Sequence, residues 1–292
     1  PFNIMGPVFI WLGAASALVG GVAAFLQRDA KLILAYSSVG QIGYIIAAFG
    51  VGGVLGRTAT LFYLTMHALH KSLLFFTVGH VTARAGTRDT NVLRGMQRSF
   101  PFMTLIYWLA ALGLLGLPFS MGHYSKYLVS ASLYGHAAEW FLLPAGAATA
   151  IALFRLGQIF TGRQNSVPLR TTVPQKEAPH GILVKLGLLI LTASCILPAI
   201  FPEKSLHLFH FLVQGEGLAG AATTPAWYGT SALLKSTLTA LVGLSGLFVF
   251  RFDRMRRLSS NLIDFRFGLD WSLRLFVLGL LAFIGYGIMV GT

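Results

Sequence analysis

Tyr63-Leu64-Thr65-Met66-His67-Ala68-Leu69-His70-Lys71-Ser72-Leu73-Leu74 lies inside an apolar run from about Ala59 to Val81. The run is long enough to cross a bilayer as a helix. It nevertheless places His67, His70 and Lys71 near its middle. A charge at the centre of a membrane helix costs from about 3 to ~10 kcal/mol, so such groups face a bundle interior or a wet cavity and mark functional positions. Tyr63, His67 and Lys71 recur every fourth residue and share one helix face, about 12 Å end to end at 1.5 Å rise per residue. His70 sits on a neighbouring face. A row of groups that each hold or pass a proton, set through a membrane interior, is what proton conduction requires.

The rest of the chain suits a membrane setting. Of 292 residues, 55% are hydrophobic and only 11% charged, against about 25% charged in a soluble domain. The reading is an all-α integral membrane protein of about eight transmembrane helices, one of them broken. The spans run Pro7–Leu26, Leu32–Phe49, Ala59–Val81, a long fourth region Phe100–Leu133, then Trp140–Phe160, Ile182–Phe201, Ser231–Phe250 and Trp271–Val290. No Asp or Glu falls inside these bounds. The lone Cys195 excludes an intrachain disulfide and a thiolate metal cluster. The opening Pro1-Phe2-Asn3 runs almost at once into a span and reads as the later part of a longer polypeptide, or a trimmed one.

The net charge of +13 is explained by topology rather than by nucleic acid, because the basic residues fall between the apolar runs. Arg28 and Lys31, Arg84 to Arg98, Arg163 to Lys176 and Arg251 to Arg266 occupy alternate connections; the others hold little beyond Arg57 and Lys204. By the positive-inside rule the basic connections are cytoplasmic, and a prokaryotic cell (inner) membrane is the expected location of this multi-pass chain. Arg155, Lys185 and Lys235 lie near span ends and are expected to snorkel to the interface.

The fourth region is too long for one plain span and too short for two with a normal loop. Its centre, Gly113-Leu114-Leu115-Gly116-Leu117-Pro118, puts Gly116 and Pro118 at mid-membrane. This predicts a broken helix whose freed backbone groups line a cavity or are covered by protein. Lys126 follows about one turn into the second half. In the second span Ser37, Gln41 and Tyr44 share a face; they either make ordinary interhelical hydrogen bonds or hold water beside the His/Lys row. His80, His123 and His136 are weaker candidates. His207 and His210 stand at metal-ligand spacing in an outer segment, but no Cys or carboxylate completes a set, so no metal site is expected. With no P-loop, dinucleotide-binding glycine pattern, metalloprotease helix or nucleophile elbow in the sequence, neither catalytic chemistry nor a cofactor is expected within this chain.

Several segments together resemble the proton-translocating antiporter-like membrane subunits shared by complex I, Mrp cation/proton antiporters and membrane-bound hydrogenases. Asp29-Ala30-Lys31-Leu32-Ile33-Leu34-Ala35-Tyr36-Ser37-Ser38 is similar to that family's D-x-K-x-x-L-A-Y-S-S helix start. His67-Ala68-Leu69-His70-Lys71-Ser72-Leu73-Leu74-Phe75 is similar to its H-A-x-x-K-[AS]-L-L-F helix. Leu93-Arg94-Gly95-Met96, then Gly116-Leu117-Pro118, then Ser125-Lys126 is similar to its broken helix with a buried Lys. The resemblance covers about residues 20–130. It implies that residues 1–161 form the second of two inverted five-helix repeats, a proton half-channel, followed by additional C-terminal helices in 162–292. It implies that Lys71 is the central relay Lys, His67 the relay His beside it, Lys126 the Lys of the broken helix, and Lys31 a Lys near the cytoplasmic end. Tyr63 stands where some relatives have a further His, and His70 is an addition. The family's first repeat is missing from this chain. Phe119-Ser120-Met121 departs from the common P-P-x-x-G-F. Asn261 to Trp271 weakly resembles the tail of the Mrp and hydrogenase branch, and within it the MrpD-like branch is the expected one.

These features imply a proton-translocating subunit of a multisubunit respiratory or Mrp-type complex. The enzymatic part, of NADH/quinone oxidoreductase or hydrogenase type if there is one, would lie in other subunits. A lysine held away from water keeps its charge at a cost, and so gains or loses a proton as the surrounding charge changes. The implied partners are other membrane subunits, including whatever carries the first repeat, the lipid bilayer, and protons with Na⁺ as a second candidate ion; nucleic acid is not among them. The alternative is a self-contained secondary cation/proton transporter that binds its ion or solute at the broken helix, which would need its own complete inverted repeat. A purely structural subunit would leave the buried Lys and His without a purpose.

Overall fold

The computed structural model describes residues 2–162, 182–214 and 230–249. Its helices are α1 (Phe2–Leu26), α2 (Ala30–Val51), α3 (Gly53–Ala85), α4 (Pro101–Leu115), α5 (Met121–Ser132), α6 (Glu139–Thr161), α7 (Ile182–Ile200), α8 (Pro202–Gln214) and α9 (Thr230–Val249), with a short 3₁₀ turn at Met96–Arg98. The described residues belong to one compact unit, Pro1–Phe250. The loop containing Arg163, Arg170 and Lys176, Glu216, the basic run from Arg251, the Asn261–Trp271 tail and the eighth span lie outside the described residues.

By length and composition, α1, α2, α6 and α7 are each able to cross a membrane. The expected spans largely coincide with the helices. The third is the exception: α3 runs from Gly53 to Ala85, well beyond Ala59–Val81 at both ends. It starts directly after Gly52 and Gly53, both at positive φ (70° and 60°), which reverse the chain without a loop. Asp29 caps α2, its carboxylate accepting from the N–H groups of Lys31 (2.8 Å) and Leu32 (3.1 Å).

The fourth region is a broken helix. Gly116 ends α4 in the left-handed conformation at φ 81°, with its N–H turned back to Gly113 and Leu112. Pro118 follows, and Ser120 caps α5 by accepting from the His123 N–H at 3.2 Å. The two halves make one interrupted crossing, because α4 starts at the same end of the bundle as the α1–α2 connection. There the chain after α3 joins that connection: Ala30 N–H donates to Arg88 O (2.9 Å), and Thr90 N–H donates to Arg28 O (3.1 Å). The C-terminal part of α6 reaches the same end, where Arg155 donates to Gln27 O and lies 6.0 Å over the Phe25 ring. Arg155 therefore pins α6 to the α1–α2 connection rather than snorkelling away from the bundle.

Helices α1 and α2 pack backbone to backbone. A Cβ added at Gly20 would lie 2.3 Å from Gly40 N, and one at Gly43 would lie 2.3 Å from Ala17 N. Small residues are what allows membrane helices this close, since lipid offers no hydrophobic drive to bring them together. Outside the first six helices, α8 lays Phe209 edge-on against Phe62 of α3 at 5.1 Å, and α9 packs along α6.

Gly43→Leu is expected to wedge α2 from α1 and to cost at least about 1–3 kcal/mol, the scale of overpacking in a close-packed interior. Gly79→Ala, where a Cβ meets nothing within 4 Å, is expected to be neutral. Thermal unfolding of the detergent-solubilised protein, read beside membrane abundance, checks both.

Candidate functional site

The polar row of α3 meets the polar face of α2. Lys71 is 5% exposed. Its Nζ donates to Leu34 O at 2.9 Å and to Ser37 Oγ at 2.5 Å. Both acceptors are neutral, and among the described residues no carboxylate pairs with this ammonium. Ser37 itself donates to Leu34 O at 3.0 Å, so one main-chain carbonyl anchors the whole contact. Two turns away Tyr63 Oη donates to Gln41 Oε1 at 2.6 Å. The Tyr63 ring stacks on Tyr44 with centroids 5.5 Å apart, and Tyr44 Oη donates to Leu142 O at the start of α6. The structure thus brings Ser37, Gln41, Tyr44, Tyr63 and Lys71 together along one α2–α3 seam. It leaves the Nε2 of Gln41 buried with no hydrogen-bond partner.

The two histidines part company. His67, between Tyr63 and Lys71 on that face, is half-buried, and its Nδ1 is buried without a hydrogen-bond partner. His70 is 2% exposed and turns towards α4. Its Nδ1 lies 2.8 Å from Met66 O. A carbonyl can only accept, so Nδ1 carries the proton. Nε2 then points at Gly113, where an added Cβ would come within 2.3 Å. Gly113 is therefore a glycine because the His70 ring occupies the space.

Gly113 stands one turn before the break, and the break holds Lys126. Lys126 Nζ donates to Leu115 O at 2.7 Å. This changes the electrostatic picture that the sequence offers. Counted from the start of α5, Lys126 is close to a helix N-terminus, which disfavours a cation. A helical side chain leans towards the N-terminus of its own helix, however, and here it reaches across the gap to a free carbonyl at the C-terminus of α4, which favours one. Lys126 does not snorkel to the surface. It lines a cavity of about 740 Å³ between α2, α5, α6 and α9, together with Tyr44, Gly116, Tyr127, Ser130, Glu139 and Lys235. Tyr44 thus belongs to both the seam and the cavity wall.

Lys31 does not join the site. It sits half-buried in the first turn of α2, about 9 Å along the axis from Ser37 at 1.5 Å per residue. His80 rests edge-on against Phe100 at 5.8 Å, near the basic end. His210 is buried and His207 exposed, and among the described residues no group of three or more His, Cys, Asp or Glu is placed to hold a metal. Two residues read differently from the sequence expectation. Glu139, placed outside the fifth span, is the first residue of α6, and Lys235, expected to snorkel, pairs with it at 2.8 Å. The sequence hint was faint: one acid and one lysine, each near the outer end of its span.

Residues 2–152 match the family described as NADH:quinone oxidoreductase/Mrp antiporter, TM. The chain belongs to this family. Among its relatives, a Staphylococcus epidermidis protein named as antiporter subunit mnhA2 is 28% identical over 265 residues, covering 80% of this chain and 33% of the relative. The NADH-quinone oxidoreductase subunit N of Desulforudis audaxviator is 33% identical over 208 residues, covering 66% of this chain and 41% of the relative. Among solved structures, the Mrp complex from Dietzia sp. DQ12-45-1b superposes with a TM-score of 0.72 at 26% identity, over 97% of this chain and 31% of that one. The chain thus spans about a third to two fifths of the length of these relatives. Their names spread across the family and do not single out the MrpD-like branch.

Lys126→Arg keeps the charge but does not release a proton in the working range. If the lysine beside Leu115 O exchanges protons, this variant is expected to lose proton translocation at normal subunit abundance. Translocation in proteoliposomes that matches the wild type would assign Lys126 to scaffolding.

Proposed function

We propose that the chain is the proton-conducting module of a multisubunit membrane complex of respiratory or Mrp type, with residues 1–161 as a half-channel. The observation that carries this reading is the way Lys71 is held. A buried ammonium that served only structure would need a carboxylate, because an unpaired charge in a dry interior is strongly destabilising. Lys71 has two neutral acceptors instead. When it loses its proton, the neutral amine still donates to the same carbonyl, and no buried carboxylate is left behind.

In this reading a proton enters from the basic side past α2 and rests on Lys71, with His67 beside it. It leaves for Lys126 by one of two contacts. One is His70, whose ring lies against Gly113 of α4, two residues before the carbonyl that holds Lys126. The other is the Tyr63–Tyr44 stack, which ends in the wall of the cavity. Ser37 and Gln41 line the start of the path, and the orphaned Gln41 amide is a natural donor to water there. Nothing in the site captures energy, so a redox or cation-coupling partner supplies it, with the basic loops on the cytoplasmic side of a prokaryotic membrane. Protons are the cargo, and Na⁺ is a candidate only for the assembled complex.

Lys71→Met keeps most of the side-chain volume and removes the charge. In the assembled complex, reconstituted with a pH-sensitive dye, it is expected to reduce proton pumping by about a hundredfold, the scale of losing a positioned proton carrier. Normal pumping would end this reading. Gly113→Ala is expected to push the His70 ring off α4 and to impair pumping as His70→Ala does; an unaffected Gly113→Ala would leave the tyrosine route.

A further inference from the structure

The polar seam does not include the second charged cluster, which lies in the wall of the Lys126 cavity. The Glu139 carboxylate, at the start of α6, accepts from Ser130 Oγ of α5 and from Lys235 Nζ of α9 at 2.8 Å. Lys235 Nζ also lies 3.1 Å from Ser130 Oγ. Ser130 stands one turn beyond Lys126 on the same face of α5, and all four residues line one cavity. The Glu139 side chain is 22% exposed and that of Lys235 55%, so the acid is the more buried partner and the lysine stands at the mouth. A pair this exposed contributes little to stability. Its three helices nevertheless converge on the one wall that faces a half-buried lysine. The cavity is large enough for a file of water molecules, each occupying about 30 Å³.

We infer that Glu139 is the acceptor for the proton that leaves Lys126, and that Lys235 is a latch on that acceptor. The inference rests on the proton-conducting reading above. An N–H bond of the Lys126 ammonium breaks, the proton passes along water in the cavity, and an O–H bond forms on Glu139. Lys126 remains as a neutral amine still bonded to Leu115 O. The neutral acid no longer holds Lys235, whose side chain swings into solvent and opens the mouth. Glu139 then loses its proton to bulk water, and the restored carboxylate draws Lys235 back. While the pair is closed, Oε1 of the acid accepts from both Ser130 and Lys235, and the ammonium beside it favours the ionised acid, which opposes return of a proton from outside. The latch comes from α9, so a helix beyond the first six completes the site.

The test uses the assembled complex in proteoliposomes. Glu139→Gln keeps the shape and the Ser130 contact, and is expected to slow translocation by about a hundredfold at normal subunit abundance, with Glu139→Asp restoring most of it. Lys235→Met leaves the acceptor unlatched, and is expected to raise the passive proton leak several-fold under an imposed pH gradient with no driving reaction. Should Glu139→Gln fail to assemble, the double variant Glu139→Gln/Lys235→Met, which removes both charges together, is read in the same way. Wild-type translocation in the Gln-bearing variant while Lys71→Met is inactive would overturn the release station and leave the proton-conducting reading standing; normal translocation in both would remove both. An unchanged leak in Lys235→Met would overturn the latch.

Discussion

A lysine ammonium in the interior of a membrane bundle must be held by something, and here the holder is the main chain. Leu34 O accepts from Lys71 and also from Ser37 and Ser38 at 3.0 Å each. That carbonyl fixes the register of α2 against α3, and with it the Tyr63–Gln41 bond and the Tyr44–Tyr63 stack further along. Lys126 is treated in the same manner, with Leu115 O as its acceptor. In both places a helix supplies an oxygen that carries no formal charge, so the site tolerates the ammonium and the amine alike. A carboxylate would stabilise only one of the two and would be left as a costly unpaired charge in the other.

The two carbonyls become available for different reasons. Leu34 lies within α2, and its oxygen gathers hydroxyl and ammonium donors in addition to the helix. Leu115 lies at the end of α4, where Gly116 turns the chain out of the helix and frees the last carbonyls. The break thus creates the acceptor that Lys126 uses. The lean of helical side chains towards their own N-terminus aims the lysine of α5 back across the gap. Broken helices elsewhere in membranes use their freed ends to bind ions; here the ion is part of the protein.

Among the described residues, the ion pair placed by the site, Glu139 with Lys235, sits where water reaches it. Carbonyls hold the inner lysines, and a carboxylate pairs only at the mouth. That division follows from dielectric: an ion pair is readily broken and remade near water, and far less so in a dry interior.

The spanning helices, the polar faces of α2 and α3 and the break were legible in the sequence, because each has a local pattern; the short α8 and the meeting of the two polar faces were not. Apolar runs of spanning length set the crossings. The four-residue period placed Tyr63, His67 and Lys71 on one face, and a glycine followed by a proline at mid-span marked the interruption. What the chain does with its lysines was decided by tertiary structure. Main-chain acceptors have no signature of their own, since every residue has a carbonyl, so neither Leu34 nor Leu115 could be singled out. The turn of His70 into Gly113 depends on the approach of α4 to α3. Glu139, Ser130 and Lys235 are brought together from three helices spread over more than a third of the chain. A local pattern determines which face of a helix is polar; which atom on another helix meets that face depends on how the helices pack, and no short stretch of sequence encodes it.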